Sequence, residues 1–343
     1  MKRHIAKFIK PLFFLGIGLL LVWWSLSGFD ADARSKIADS LQGANYFWVI
    51  LSLLFALVSH VSRAIRWQML MEGAAAKPSF INTLLALGVS YLANLAVPRM
   101  GEITRCGIIS RYEPVPPEKA FGTVITERAI DVATLFLLTF LVVLTQFKVI
   151  GKYFEENVSM PLMAKFSGLF LGHAWSTYFF LVLLLLLLSA GILYLLVKFR
   201  QTVVFKKIKS LAKGIGEGVT SVRHVKNLPL LIAHSVFIWF MYFAMIYICF
   251  FALTGTSELG PQAGLAVMVM GSFGIIATQG GIGAYQIIVS GVLVLYGVDY
   301  MLAYAFSWLA WGAQTLLVIF GGFLAMVALP WVNRKIKLNE KLN

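Results

Sequence analysis

Four groups of residues in this chain combine a chemistry with a spacing. Arg63 and Arg66 stand three apart, so on a helix they project from one face. Arg99, Glu102 and Arg105 lie within the stretch Asn94-Leu95-Ala96-Val97-Pro98-Arg99-Met100-Gly101-Glu102-Ile103-Thr104-Arg105. Glu127, Arg128 and Asp131 follow, and the two carboxylates, four apart, share a helix face that suits a guanidinium partner. The last group is Gly280-Gly281-Ile282-Gly283-Ala284-Tyr285-Gln286. An arginine offers a planar, permanently charged fork that matches a phosphate or a carboxylate. Three glycines in four residues allow positive φ and close backbone approach. Amide donors at a helix start after such a loop suit an anion. Together these residues point to anion recognition.

Each group also has a plainer role. Arg63 and Arg66 serve as flanking charges at the inner end of a span. Glu127 and Asp131 serve as structural partners of Arg99 or Arg105, holding one segment to the next. The glycines serve a cramped turn. Enzyme chemistry finds little support. No HExxH, Walker or Gly-x-Ser-x-Gly pattern occurs. The five histidines, at 4, 60, 173, 224 and 234, are scattered, and no nucleophile–base pair stands out. Cys106 and Cys249 have no metal or disulfide spacing. The expectation is therefore no catalytic residue, no metal and no cofactor.

The elements that position these residues are apolar. Of 343 residues 59% are hydrophobic and 13% charged, against roughly 25% charged in soluble domains. Apolar runs cover Pro11–Leu26, Tyr46–Val61, Phe80–Val97, Phe121–Phe147, Trp175–Val197, Leu228–Leu253, Gln262–Thr278, Ile282–Gly297 and Leu302–Leu329. This is the pattern of an all-α polytopic membrane protein, one transmembrane domain over 1–343. A net charge of +14 fits inner loops facing anionic lipid better than nucleic acid. Residues 1–10, 63–78, 198–226 and 331–343 carry four, three, eight and four Lys or Arg, whereas 28–45, 148–173 and 254–262 carry two, three and none. The first set is expected to be cytoplasmic, with both termini, and the second external.

That orientation forces two segments to enter and return on one side. Phe80 to about Arg111 turns at Pro98–Gly101, where a proline stops the helix. Residues 262–297 turn at Gln279–Gly283. The expectation is about six full transmembrane helices plus two re-entrant helical hairpins. They form an inverted repeat with halves about 5–150 and 174–332, joined by a basic cytoplasmic linker, 198–227. Such repeats place broken segments together near the bilayer centre in many transporters. Counted from Phe121, Asp131 lies ten residues into its helix, or about 15 Å.

The four groups in this order, from Ser62-Arg63-Ala64-Ile65-Arg66-Trp67 through Gly280-Gly281-Ile282-Gly283-Ala284-Tyr285, resemble the lysylphosphatidylglycerol synthase transmembrane-region family over about residues 5–332. That family includes the flippase half of the bacterial multiple-peptide-resistance factor. The chain departs from it at Ala277-Thr278-Gln279, where members usually have prolines, and at Gln286, where many carry Glu or His. No counterpart of the soluble aminoacyl-transferase domain is expected after Leu329. The resemblance implies a flippase-like protein of the bacterial inner membrane that moves an anionic phospholipid or lipid-linked molecule between leaflets. Arg63, Arg66, Asn94, Arg99, Glu102, Arg105, Gly280, Gly281, Gly283 and Tyr285 are then the expected substrate-binding residues. Glu127, Arg128 and Asp131 are the expected charge network. The expected partner is a membrane lipid with an anionic headgroup, with homo-oligomers left open. The competing reading is a non-transporting scaffold or accessory subunit for envelope lipid or glycan synthesis; an intramembrane lipid-modifying enzyme is a weaker third.

Overall fold

The computed structural model describes residues 16, 19–25, 27, 29–97, 99–146 and 225–334. The chain divides into one unit of residues 1–142 with 218–343 and another of 143–217. The described helices belong to the first unit, save the very end of Pro117–Thr145. The expected span Trp175–Val197, most of Pro11–Leu26 and most of the basic linker 198–227 lie outside the described residues.

Nine helices with both ends described succeed one another: α1 Ala31–Gln42, α2 Tyr46–Gly73, α3 Phe80–Ala96, α4 Met100–Tyr112, α5 Pro117–Thr145, α6 Leu228–Cys249, α7 Pro261–Ala277, α8 Ala284–Leu295 and α9 Tyr300–Val332. Their starts are written locally. Asn45, Ser79, Asn227 and Asp299 accept the first free amides of α2, α3, α6 and α9, the role such side chains fill at an N-terminus. Among the described residues, four helices are long and apolar enough to cross a membrane: Tyr46–Gly73, Pro117–Thr145, Leu228–Ala252 and Tyr300–Val332. The protein is an all-α polytopic membrane protein.

Between these long helices lie two hairpins. The arms α3, α4, α7 and α8 have 17, 13, 17 and 12 residues. Each falls short of the roughly 20 residues a bilayer demands. Each half thus reads long helix, helical hairpin, long helix. Helix α2 packs on α6, α3 on α4 and α9, and α7 on α8. Gly101, just past the first turn, sits against the Ser90 carbonyl and the Asn94 side chain, where a Cβ would have no room. Asn94 Oδ1 accepts the Gly101 amide at 2.7 Å. In the second turn Gly280, Gly281 and Gly283 have φ of 63°, 82° and 79°, a region open to glycine and costly to other residues.

Candidate functional site

Helices α2, α4 and α5 bring the charged residues together. Helix α5 begins at Pro117, four residues earlier than the apolar pattern indicates. Glu127 therefore lies ten residues in, about 15 Å, and Asp131 about 21 Å. Arg63 donates from Nε to Glu127 Oε1 at 2.8 Å and from Nη2 to Asp131 Oδ2 at 2.7 Å. Arg66 donates to Asp131 Oδ1 at 2.6 Å. Arg105 reaches Glu127 Oε2 from α4 at 2.8 Å. Arg66 and Glu127 are 0% exposed and Arg105 1%, so these are interior ion pairs and not surface flanks.

The pairing differs from the expected one. The sequence offers Arg99 or Arg105 as the partner of Asp131; the carboxylate instead bridges Arg63 and Arg66 of α2. The two arginines share a face of α2, as their spacing requires, and the second carboxylate of the Glu127/Asp131 face meets them. Arg105 takes Glu127, and its guanidinium lies 4.6 Å from the centroid of the Trp67 ring. Arg128 forms a separate, outer pair with Glu102 at 2.6 Å.

The buried cluster contains three guanidinium groups and two carboxylates, and the outer pair is neutral. One positive charge is in excess. Arg105 Nε and Nη2 and Arg66 Nε have no hydrogen-bond partner among the described residues. Neither has the Tyr91 hydroxyl. The His60 ring, 4.6 Å from that of Tyr91, also has both nitrogens unpartnered among the described residues.

Several contributors escape sequence reasoning. Tyr242 accepts from Arg63 Nη1 at 3.1 Å and Ser235 from Arg66 Nη1 at 3.4 Å. Both belong to α6, seven residues apart and so on one face, a polar pair inside an apolar run. Trp67 is tied to α5 through Thr123 at 3.0 Å.

The two hairpin tips meet. Gln279 donates from Nε2 to the carbonyls of Leu95 at 2.8 Å and Ala96 at 2.7 Å. These are acceptors that the end of α3 leaves without helical amides. A proline could not make these bonds, so the departure at Gln279 joins one hairpin to the other. Arg99, beside this contact, is exposed and left-handed, with φ 65° and ψ 7°. Met100 N bonds to Val97 O at 3.1 Å, and Arg99 holds the left-handed conformation where glycine is usual.

Other expected binding residues have structural employment. Asn94 pins the first hairpin. Tyr285 is buried, its ring against the Gly271 backbone between α7 and α8. The Gly283 amide, expected to face an anion, is taken by Gln286 Oε1 at 2.8 Å. The Gly280 carbonyl accepts from Trp311 at 2.7 Å.

Residues 12–322, nearly the whole length, match the model of the lysylphosphatidylglycerol synthase TM region. The chain belongs to that family. It is also similar to a UPF0104 membrane protein of Methanocaldococcus jannaschii, 30% identical over 153 residues, which is 43% of this chain and 44% of that protein. The match thus spans less than half of the relative's length. No solved structure matches the chain. Family membership carries the membrane character with it, and among the described residues the buried charged side chains, Arg63, Arg66, Arg105 and Glu127, all belong to the cluster of α2, α4 and α5.

Proposed function

We propose that the chain is a flippase-like lipid transporter of the bacterial inner membrane, moving an anionic phospholipid or lipid-linked molecule between leaflets. The observation that carries this reading is the excess cation of the Arg63–Arg66–Arg105 cluster, with guanidinium donors left unpartnered among the described residues. An uncompensated charge in a membrane interior is costly, and such residues face partners or wet pathways. An anionic headgroup supplies the missing charge and accepts the free Arg105 donors. The meeting of the hairpin tips at Gln279 and Leu95 gives two broken segments of opposite halves a shared contact, the arrangement that secondary transporters use around a substrate. In this reading Arg99, at the exposed tip, meets the headgroup as it enters, and both termini are cytoplasmic.

The test is reconstitution in liposomes with phospholipids labelled on the headgroup side. The purified chain is expected to accelerate movement of labelled phosphatidylglycerol, and Arg105→Gln to abolish the acceleration while the protein stays folded. A folded, correctly inserted protein that moves no anionic phospholipid would overturn the transport reading.

A further inference from the structure

A cleft of about 450 Å³ opens on the flank of the first hairpin, between that hairpin and the end of α9. Its size falls in the range of small-molecule sites, roughly 300–1,000 Å³. Val89, Ile108, Met326 and Leu329 form apolar walls. Gly107 also lines it, and a Cβ there would meet nothing within 4 Å, so there is room above the α4 backbone. Nearby on α9, Leu324, Val327 and Trp331 are 66%, 56% and 72% exposed, an apolar surface suited to bilayer hydrocarbon.

The cleft also has a charged end. Arg111 lines it from the last turn of α4, where a helix C-terminus favours a cation. Its guanidinium lies 5.7 Å from the Tyr112 ring centroid, and it has no ion pair among the described residues. Pro330 stands in the opposite wall within α9. Lacking an N–H, it deprives the Met326 carbonyl of its usual helical donor, which leaves the wall polar at that point.

We propose that this cleft holds one bilayer phospholipid, an acyl chain between α4 and α9 and the phosphate on Arg111. A free guanidinium fork beside exposed apolar surface is complementary to a phosphate that carries its own hydrocarbon. A second copy of this basic chain would bring a like charge. The site is separate from the Arg63–Arg66–Arg105 cluster, and it stands whether or not the protein moves lipid.

The test is native mass spectrometry of the full chain, delipidated and titrated with dioleoyl phosphatidylglycerol or with dioleoylglycerol, which has the same chains and no phosphate. Wild type is expected to retain phosphatidylglycerol more strongly. Arg111→Gln should weaken that retention about tenfold, the loss of one charge-assisted hydrogen bond, and leave dioleoylglycerol unchanged. Gly107→Phe fills the cleft and should remove the adduct; Met326→Trp fills it from the other wall should the first variant fail to fold. Equal retention of the two lipids by wild type would overturn the proposal, as would an adduct unchanged in the folded cleft-filling variant. So would an adduct that disappears with Arg105→Gln and survives Arg111→Gln, which would place the lipid at the charge cluster.

Discussion

Glu127→Gln is the sharpest perturbation of the charge cluster. Glu127 is fully buried and accepts from Arg63 and Arg105 at 2.8 Å each, with Arg66 at 3.7 Å. The amide keeps the size and one acceptor oxygen. It removes the negative charge and points an N–H₂ group at guanidinium donors. Three arginines then share one carboxylate, and the excess rises from one positive charge to two. Breaking one side of a buried pair typically costs about 3–5 kcal/mol. Removing Arg105 as well restores the original excess, so Glu127→Gln with Arg105→Gln should recover at least ~1 kcal/mol of that loss, within the range of contacting pairs. The assay is reversible unfolding in mixed micelles by a denaturing detergent, followed by circular dichroism. A Glu127→Gln protein within ~1 kcal/mol of wild type, or a double variant no more stable than the single, would refute the assignment of Glu127 as the centre of the network.

The other expectations separate the cluster from its surroundings. Arg128→Gln breaks a pair whose arginine side chain is 44% exposed and should cost under ~1 kcal/mol in the same unfolding experiment. Gln279→Ala orphans the Leu95 and Ala96 carbonyls and should destabilise by about 1–3 kcal/mol for each that stays dry, with faster amide exchange confined to the two tips. Arg99→Gly relieves a left-handed residue and should leave stability equal or raise it by up to ~1–2 kcal/mol, while slowing lipid movement in the liposome assay; unchanged movement would remove Arg99 from the pathway.

The architecture is legible in the sequence because its signals are collective. Apolar length marks the four long helices seen among the described residues, and Lys/Arg asymmetry leads the sequence reading to fold α3–α4 and α7–α8 back without knowledge of a single contact. Helical spacing puts Arg63 with Arg66 and Glu127 with Asp131 on shared faces. Spacing is silent on which face meets which, because that depends on the rotation of each helix about its own axis. Pattern alone therefore ties Asp131 to the first hairpin, when its partners, Arg63 and Arg66, lie on α2. Tyr242 and Ser235 escape for the same reason: one hydroxyl in an apolar run carries no address. The glycines at 280, 281 and 283 do signal a turn, but the Gly283 amide is no spare ligand donor. Gln286, three residues on, takes it, and the capping-box spacing is there in the sequence to show so.

The exchange of partners changes what the cluster does as a machine part. Had Asp131 paired with Arg99, the hairpin tip would be anchored electrostatically and the tip would be a static site. Instead the two carboxylates of α5 are committed chiefly to α2, and α4 is attached through Arg105, whose Nε and Nη2 are unused among the described residues. The hairpin is thus held to α5 at Glu127 and, on the outer side, at Arg128, and to the opposite half at Gln279, with Arg99 exposed. An anion arriving at Arg105 competes with Glu127 for the same guanidinium. The bond it would loosen is the buried one of the two ion pairs that tie α4 to α5, the outer one being Arg128–Glu102, so binding and hairpin position are coupled through Arg105. A lysine at position 105 keeps the charge and cannot hold Glu127 and an anion through separate edges of a fork. Arg105→Lys should therefore preserve the fold and uncouple the two, with phosphatidylglycerol binding weakened and amide exchange in α4 no longer responsive to lipid.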